Sequence, residues 1–145
     1  MIDWRFVTRR LGLDIGDKRI GVAISDTNGI LASPFTIIER KGERQDIGAI
    51  LSIIIQNEVE RIVVGLPRSL NGSIGGQAEK VMAFIKKLSS QTDIPVEFRD
   101  ERLTTVSAKR LMQAVKNRKS KRRTRDDAIA AALILQGYLD ESQNG

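Results

Sequence analysis

The sequence contains no cysteine and no histidine among its 145 residues. Without cysteine there can be no disulfide framework, iron–sulfur cluster or thiol nucleophile. Without histidine, the Ser-His-Asp triad, the usual zinc sites and imidazole general bases are all excluded. Any metal that this chain binds must therefore be held by oxygen ligands, which favours Mg²⁺ or Mn²⁺ over zinc or copper.

Aromatic residues and long apolar runs are scarce as well. Aromatics make up 4% of the chain, so we expect no base-stacking platform and only weak sequence readout of any bound nucleic acid. No run approaches the roughly 18 apolar residues of a membrane span. The first residues carry charges and lack a small-residue cleavage site, unlike a signal peptide. These absences predict a cytoplasmic protein with no membrane association.

Positive charge is concentrated in one segment. Lys and Arg total 24 against 18 Asp and Glu, for a net charge of +6, and residues 116–125 hold seven basic residues and no acid. The rest of the chain is almost neutral. Such a run is often only a solvated loop, but it could also hold a phosphate backbone. For the second role we assign Lys119, Lys121, Arg122 and Arg123.

The order of hydrophobic patterns predicts an α/β fold in a single domain over residues 1–145. Three short alternating segments within residues 11–38 predict an antiparallel meander, with Pro34 making the third strand irregular or an edge. A helical stripe within 43–59, a buried strand at 61–65, a second helix and a strand at 95–99 predict two βα crossovers. Two further helices are predicted at 103–115 and about 126–139, the second capped by Thr124, with a frayed tail at 141–145. The pattern therefore predicts one mixed five-stranded sheet with helices on both faces.

Three acidic positions stand out on separate elements. Asp14 lies in an apolar strand, where an ionised carboxylate is costly unless it is paired or bound to metal. The run Asp100, Glu101 and Arg102 ends the fifth strand, where open α/β sheets place their sites. The pair Asp126 and Asp127 opens the last helix, where acids also serve to complement the helix dipole. A solvent-facing role is a real alternative for each acid taken alone.

Two glycine-rich segments add phosphate-binding character. Residues 12–21 place glycines, a carboxylate and the cations Lys18 and Arg19 around one turn, where backbone N–H groups could approach a phosphate. Residues 65–77 follow a buried strand and precede a helix, as at many anion sites, but lack the P-loop pattern. Together, converging acids, phosphate-friendly loops and a basic segment favour metal-assisted hydrolysis of a phosphodiester.

Four segments carry a family resemblance that spans nearly the whole chain in order. They are LGLDIGDKRIGVAISD at 11–26, IVVGLP with NG at 62–72, DERLTT at 100–105, and the pattern D-x-x-A-A-x-L-I-L-Q-x-Y-L at 127–139. These segments closely resemble the YqgF/RuvX family, which is described as Holliday junction resolvases and as nucleases for pre-16S rRNA processing. The resemblance implies an RNase H-like fold.

The resemblance also implies roles for individual residues. Asp14, Glu101 and Asp127 would be catalytic, metal-binding acids, and Lys18, Arg19, Asn71 and Arg102 would contact the substrate. The family usually has an apolar residue where this chain has Asp126, so the third ligand could be either Asp126 or Asp127. The motif assigns Asp127, and helix phase supports it, since Asp127 shares a face with Ala130, Ala131 and Ile134.

The resulting expectation is a Mg²⁺- or Mn²⁺-dependent endonuclease, of two-metal type and without a covalent intermediate, acting on pre-16S rRNA in ribosome biogenesis. A Holliday junction resolvase and a non-catalytic RNA-binding assembly factor are the alternatives. A nucleotide-binding module is a third, although such proteins need two lobes of this kind. The sequence does not distinguish RNA from branched DNA as the partner, or a monomer from a homodimer.

Overall fold

The computed structural model describes residues 8–67, 75–100 and 124–144, and in the last of these segments it describes side chains from 128 to 142. The strands are β1 (Arg9–Ile15), β2 (Arg19–Ser25), β3 (Ala32–Glu39), β4 (Val59–Leu66) and β5 (Val96–Asp100). The helices are α1 (Glu43–Gln56), α2 (Gly76–Ser89) and α3 (Thr124–Asn144). Within those residues, no helix has the length and apolar character to cross a membrane. The predicted helix at 103–115 lies outside the described residues.

The five strands form one sheet in the order β3-β2-β1-β4-β5. Strands β1 to β3 pair antiparallel, whereas β4 lies parallel to β1 and β5 lies parallel to β4. The predicted mixed sheet, a meander followed by two parallel strands, is therefore confirmed. Because β4 and β5 are reached through crossovers, β1 becomes the central strand, with antiparallel pairing on one side and parallel pairing on the other.

Strand β3 is an edge of the sheet and is irregular, as Pro34 predicts. Its register with β2 shifts between Val22, which pairs with Thr36, and Ala23, which pairs with Pro34. Proline has no N–H to donate to the ladder, so it is tolerated at an edge beside a bulge. The tight turn before β3 uses Gly29 at φ 71°, and the Asp26 carboxylate accepts the N–H of Ile30 at 2.8 Å.

The two faces of the sheet carry different cores. Alternate residues of β1, including Leu11 and Leu13, pack with the apolar sides of α1 and α2 in the larger cluster. The opposite face packs small residues such as Ala23 against α3, whose contributions include Ala131 and Leu135. Since side chains alternate between faces, Gly12 and Asp14 of β1 lie on the face that carries α3. Helices therefore cover both faces, as predicted.

Helix bounds differ from the sequence prediction in two places. Helix α1 ends at Gln56, because the Asn57 backbone and side chain both donate to the Ile53 carbonyl, at 3.1 and 2.9 Å. Glu58 then takes a positive φ of 52° and turns the chain into β4. Helix α3 begins at Thr124 itself and continues to Asn144, so it covers most of the predicted frayed tail. Beyond Leu139 the helix is held by the Arg99–Glu141 salt bridge, and the Ser142 hydroxyl donates to the Tyr138 carbonyl at 3.0 Å.

Candidate active site

Asp14 stands on the central strand of the sheet, one residue before its end. It pairs with Gly21 of β2 and is half-buried. Its neighbours in sequence, Leu13 and Ile15, are buried on the opposite face. Thus the strand alternation that buries the apolar residues also presents the carboxylate to the α3 side. A carboxylate held there by a strand buried on both faces is well positioned to bind a cation.

Gly12 allows α3 to lie very close to the strand that carries Asp14. A Cβ placed on Gly12 would stand 2.8 Å from the Ala131 carbonyl oxygen and 2.8 Å from the Leu135 Cβ. Both of these atoms belong to the rigid frame of α3, so only glycine fits at this crossing. The distance between β1 and α3 is therefore fixed at a point two residues before Asp14.

The direction of α3 is set by contacts further along it. The side-chain oxygen of Gln136 accepts a hydrogen bond from the Ala32 N–H at 2.9 Å. Ala32 pairs with Ser25 of β2, and Ser25 lies across from the start of β1. Ala131 lies at Gly12, nearer the end of β1. The N-terminal part of α3 therefore lies toward the Asp14 end of β1. Asp127 is about one turn, or about 6 Å, closer to the N-terminus of the helix than Ala131.

The β1–β2 hairpin follows directly after Asp14 and carries two predicted substrate contacts. The Gly16 N–H donates to the Arg19 carbonyl at 2.9 Å and closes the turn. Lys18 is exposed at the tip. The Arg19 side chain forms an exposed salt bridge with Glu39 at 3.1 Å. Lys18 therefore forms no salt bridge within the described part of the chain. Arg19 forms only an exposed pair, whose attraction is screened by solvent.

Several predicted site residues fall outside the described part of the chain. They are Asn71, Glu101, Arg102, Lys119, Lys121, Arg122 and Arg123. Asp127 lies on the described backbone of α3, whereas its side chain is not described. Among the described residues, no group of three acidic side chains could hold a metal ion. The structure thus brings the Asp14 strand and the Asp127 end of α3 together at one end of the sheet.

The sequence reasoning missed an ion pair beside the hairpin whose carboxylate is buried and whose arginine is partly buried. Asp46, 2% exposed, accepts the Arg40 Nε at 3.0 Å. Arg40 also donates from Nη1 to the Gly16 carbonyl at 2.9 Å, and its guanidinium lies 4.8 Å from the centroid of the Phe84 ring. Neither residue belongs to a recognisable motif, so nothing in the sequence pattern pointed to them. Together they tie the turn after Asp14 to α1 and α2.

A second missed residue, Arg99, anchors the end of β5 to α3. It is 8% exposed and forms a salt bridge with Glu141. Gly137 makes room for it, since a Cβ there would stand 2.7 Å from the guanidinium Nη2. Arg99 lies two residues before Glu101 in the sequence. The Arg99–Glu141 pair therefore fixes the end of β5 relative to α3. In the sequence, β5 leads to Glu101, and α3 carries Asp127.

Comparison with proteins of known sequence gives close relatives over almost the full length. A protein of Caldanaerobacter subterraneus subsp. tengcongensis is 50% identical over 137 residues, covering 94% of this chain and 99% of the relative. One from Clostridioides difficile is 46% identical over 132 residues, covering 91% and 94%. Both carry the name "putative pre-16S rRNA nuclease".

Solved structures of resolvases share the fold. Thermus thermophilus RuvC in complex with a Holliday junction substrate matches with a TM-score of 0.66 at 12% identity, over 93% of this chain and 96% of that one. The yeast mitochondrial Holliday junction resolvase Ydc2 matches with a TM-score of 0.61 at 13% identity, over 92% and 78%. These likenesses confirm the RNase H-like fold that the resemblance implied.

The family assignment rests on the match along the chain as a whole. The family model described as "RuvX: Holliday junction resolvase" matches residues 8–141. That range includes all four motifs and all three predicted acids. The central strand with Asp14 and all but the last three residues of α3 (Thr124–Asn144) fall within it too, so the described fold and the family motifs coincide. The chain belongs to the RuvX family.

Proposed function

We propose that this protein is a divalent-metal-dependent endonuclease that hydrolyses a phosphodiester bond of structured RNA, with the 5′ end of pre-16S rRNA as its substrate. The observation that carries the proposal is the contact between Gly12 and α3, which brings the Asp14 strand and the Asp127 end of α3 to one end of the sheet. The names of the close relatives indicate the substrate.

The assignment of the three acids follows from positions on the fold. Asp127 precedes Ala131 by four residues and so lies on the helix row that faces Gly12, whereas Asp126 aligns with Ile129, which is buried, and with Ala130 and Leu133, which stay half-buried. This phase favours Asp127 as the third acid. Glu101 follows Arg99, whose side chain meets α3 on the Asp14 face, by two residues in the sequence, and it belongs to the DERLTT motif at 100–105. We assign Glu101 to the same site on that basis.

The donor set fits Mg²⁺ or Mn²⁺. With no histidine and no cysteine in the chain, carboxylate oxygens are the strong ligands available, and hard cations prefer them. Asp14 at the end of a buried central strand would be held in place by its neighbours. We propose that Asp14, Glu101 and Asp127 hold a pair of ions, which when bound supply Lewis-acid activation of water and stabilisation of the leaving oxygen.

The chain's own residues provide orientation and charge around that centre. Lys18 and Arg19, with Asn71 and Arg102, would bind the phosphates next to the cleaved bond. Water attacks phosphorus directly, the P–O bond to the leaving oxygen breaks, and no covalent enzyme intermediate forms, which suits a chain without a cysteine or histidine nucleophile. The basic residues Lys119, Lys121, Arg122 and Arg123 would grip the strand further along.

Branched DNA is the second candidate substrate, because the family model is described by Holliday junction resolution. Two symmetric cuts in a junction need two active sites, so this activity would require a homodimer. The pre-16S rRNA assignment has no such requirement and is compatible with a monomer. The substrate and the oligomeric state can therefore be tested in the same experiment.

The test is a cleavage assay with Mg²⁺ or Mn²⁺ that compares a pre-16S rRNA 5′ fragment with a four-way DNA junction. We expect RNA cleavage by the parent protein, abolished by EDTA and reduced at least about 100-fold in Asp14→Asn, since even outer contacts of metal ligands are worth 10–100-fold. Asp93→Asn removes an exposed acid before β5 and should leave the rate unchanged.

The possible outcomes separate the three functions. Junction cleavage by a dimer, with intact rRNA, would favour the resolvase. RNA binding without cleavage under either metal would favour a non-catalytic assembly factor. Cleavage that survives in Asp14→Asn would contradict the assignment of the site.

A further inference from the structure

The β3–α1 connection, residues 40–42, lies directly against the β1–β2 hairpin. The Arg40 N–H donates to the Lys18 carbonyl at 2.9 Å, and the Arg40 side chain donates to the Gly16 carbonyl at 2.9 Å. Asp46 of α1 accepts from the Arg40 Nε and from the Lys41 N–H, both at 3.0 Å. One buried carboxylate therefore fixes the hairpin, the connection and the first turns of α1 relative to one another.

This arrangement collects cations that no described acid neutralises. Lys18 at the hairpin tip, Lys41 on the connection and Arg44 in the first turn of α1 are all exposed. None of the three forms a salt bridge within residues 8–67, 75–100 and 124–144. By contrast, Arg40 is paired with Asp46, Arg19 with Glu39, and Lys87 with Glu43.

Exposed basic side chains that have no acidic partner and stand on an ordered backbone are suited to binding phosphates. Like charges repel one another, so their grouping costs free energy in the isolated protein, and bound phosphates relieve that cost. Each phosphate that a cation neutralises also releases condensed counterions from the nucleic acid. Because the Arg40–Asp46 pair fixes the backbone beneath them, binding needs little ordering of the main chain, and the ordering cost falls on the exposed side chains.

The position of these cations links them to the candidate site. Gly16, which Arg40 holds, is two residues after Asp14. The neighbouring cleft, of about 330 Å³ and lined by Asp17, Glu43, Arg40 and Lys80, balances acids against bases. It is therefore less suited to a polyanion than the exposed surface of Lys18, Lys41 and Arg44.

We propose that Lys41 and Arg44 continue the Lys18 surface and bind the phosphates of the RNA strand where it runs past the hairpin, on the α1 side of the Asp14 site. This inference rests on the proposed function for its ligand, and it extends the substrate contacts beyond the residues that the family motifs mark. The contact is to the backbone, so it adds affinity without base specificity.

The test measures binding without cleavage. In an Asp14→Asn background with EDTA present, a fluorescein-labelled single-stranded RNA is titrated by anisotropy at salt concentrations from about 50 to 200 mM. We expect Lys41→Gln and Arg44→Gln each to reduce the slope of log K against log salt by about 0.7, the value for one phosphate contact on a single strand. Lys41→Arg and Arg44→Lys keep the charge and should restore the slope.

Lys86→Gln is the matched control. Lys86 is exposed and has no salt bridge within the described residues, but it lies on the β5 side of α2, beside Ile94 and Val96. Its removal should leave the slope unchanged. Equal slopes for Lys41→Gln, Arg44→Gln and Lys86→Gln would overturn the inference, as would a parent protein that binds no RNA.

Cleavage by the same proteins with intact Asp14 separates this inference from the proposed function. Loss of slope together with no cleavage by the parent would support the surface and reject the nuclease. Cleavage with unchanged slopes would support the nuclease and reject the surface.

Discussion

Replacing Gly12 by alanine tests the close crossing of β1 and α3. The added Cβ would meet the Ala131 carbonyl oxygen and the Leu135 Cβ, both at 2.8 Å, where ordinary contacts begin at 3.4 Å. Neither atom can swing away, because both are fixed to the helix frame. We therefore expect α3 to shift from the sheet by about 0.6 Å or more, with a destabilisation of about 1–3 kcal/mol, the usual cost of overpacking.

The shift should also lower activity beyond its effect on stability. Asp14 lies on the strand and Asp127 on the helix, so moving α3 changes their separation. A misplacement of about 1 Å can cost up to about 100-fold in rate, and we expect about a tenfold loss for Gly12→Ala. The Tm should fall by about 2–4 °C for each kcal/mol lost at this chain length.

The assay compares thermal unfolding with the RNA cleavage rate, the latter measured at a temperature where each variant is fully folded. Gly48→Ala is the control, since a Cβ at that position in α1 meets nothing within 4 Å. It should be neutral or stabilising by up to about 1 kcal/mol, because alanine is the better helix former. A Gly12→Ala protein that loses stability but keeps the full rate would refute the argument that this crossing positions the acids.

Three further variants probe contacts around the site. Gln136→Leu removes the partner of the buried Ala32 N–H and of the partly buried Ile30 carbonyl, and it should cost about 1–3 kcal/mol in a denaturant titration. Asp46→Ala removes the carboxylate that pairs with the Arg40 guanidinium and should lower the free energy of unfolding by about 2–3 kcal/mol. Glu43→Gln breaks the more exposed pair with Lys87 and should lower it by less than about 1 kcal/mol. Equal losses in the two variants would contradict the importance of burying the carboxylate. Gly137→Ala should destabilise less than Gly12→Ala, since the group it meets is the end of a side chain.

Much of the fold follows from local patterns in the sequence. Alternation in β1 and β2, the continuous apolar run of β4 and the proline of β3 each report a strand and its surroundings, because burial on one or both faces dictates residue type. The end of α1 was harder to place. Ile55 continues the apolar stripe yet is 78% exposed, and the helix stops where Asn57 caps it.

The candidate site was predictable only in part. Asp14 stands out because a carboxylate in an apolar strand is costly, and its neighbours in the sequence reveal this. Arg40 and Asp46 gave no such signal, since their partners are distant in the sequence and both look like ordinary surface residues beside a helix start. Gly12 reads as a simple strand glycine until the position of α3 shows that no side chain would fit.

The docking of α3 has a consequence for the order in which the protein acquires activity. The contact between Ala32 and Gln136 joins residues 104 positions apart, whereas the meander of β1 to β3 forms from neighbours in sequence. Contacts between distant segments form late because the chain must first close a long loop. During synthesis, the meander leaves the ribosome long before the last helix does. The site proposed for Asp14 and Asp127 is complete only once that helix has emerged and docked, so we expect chains truncated before α3 to lack the proposed RNA cleavage.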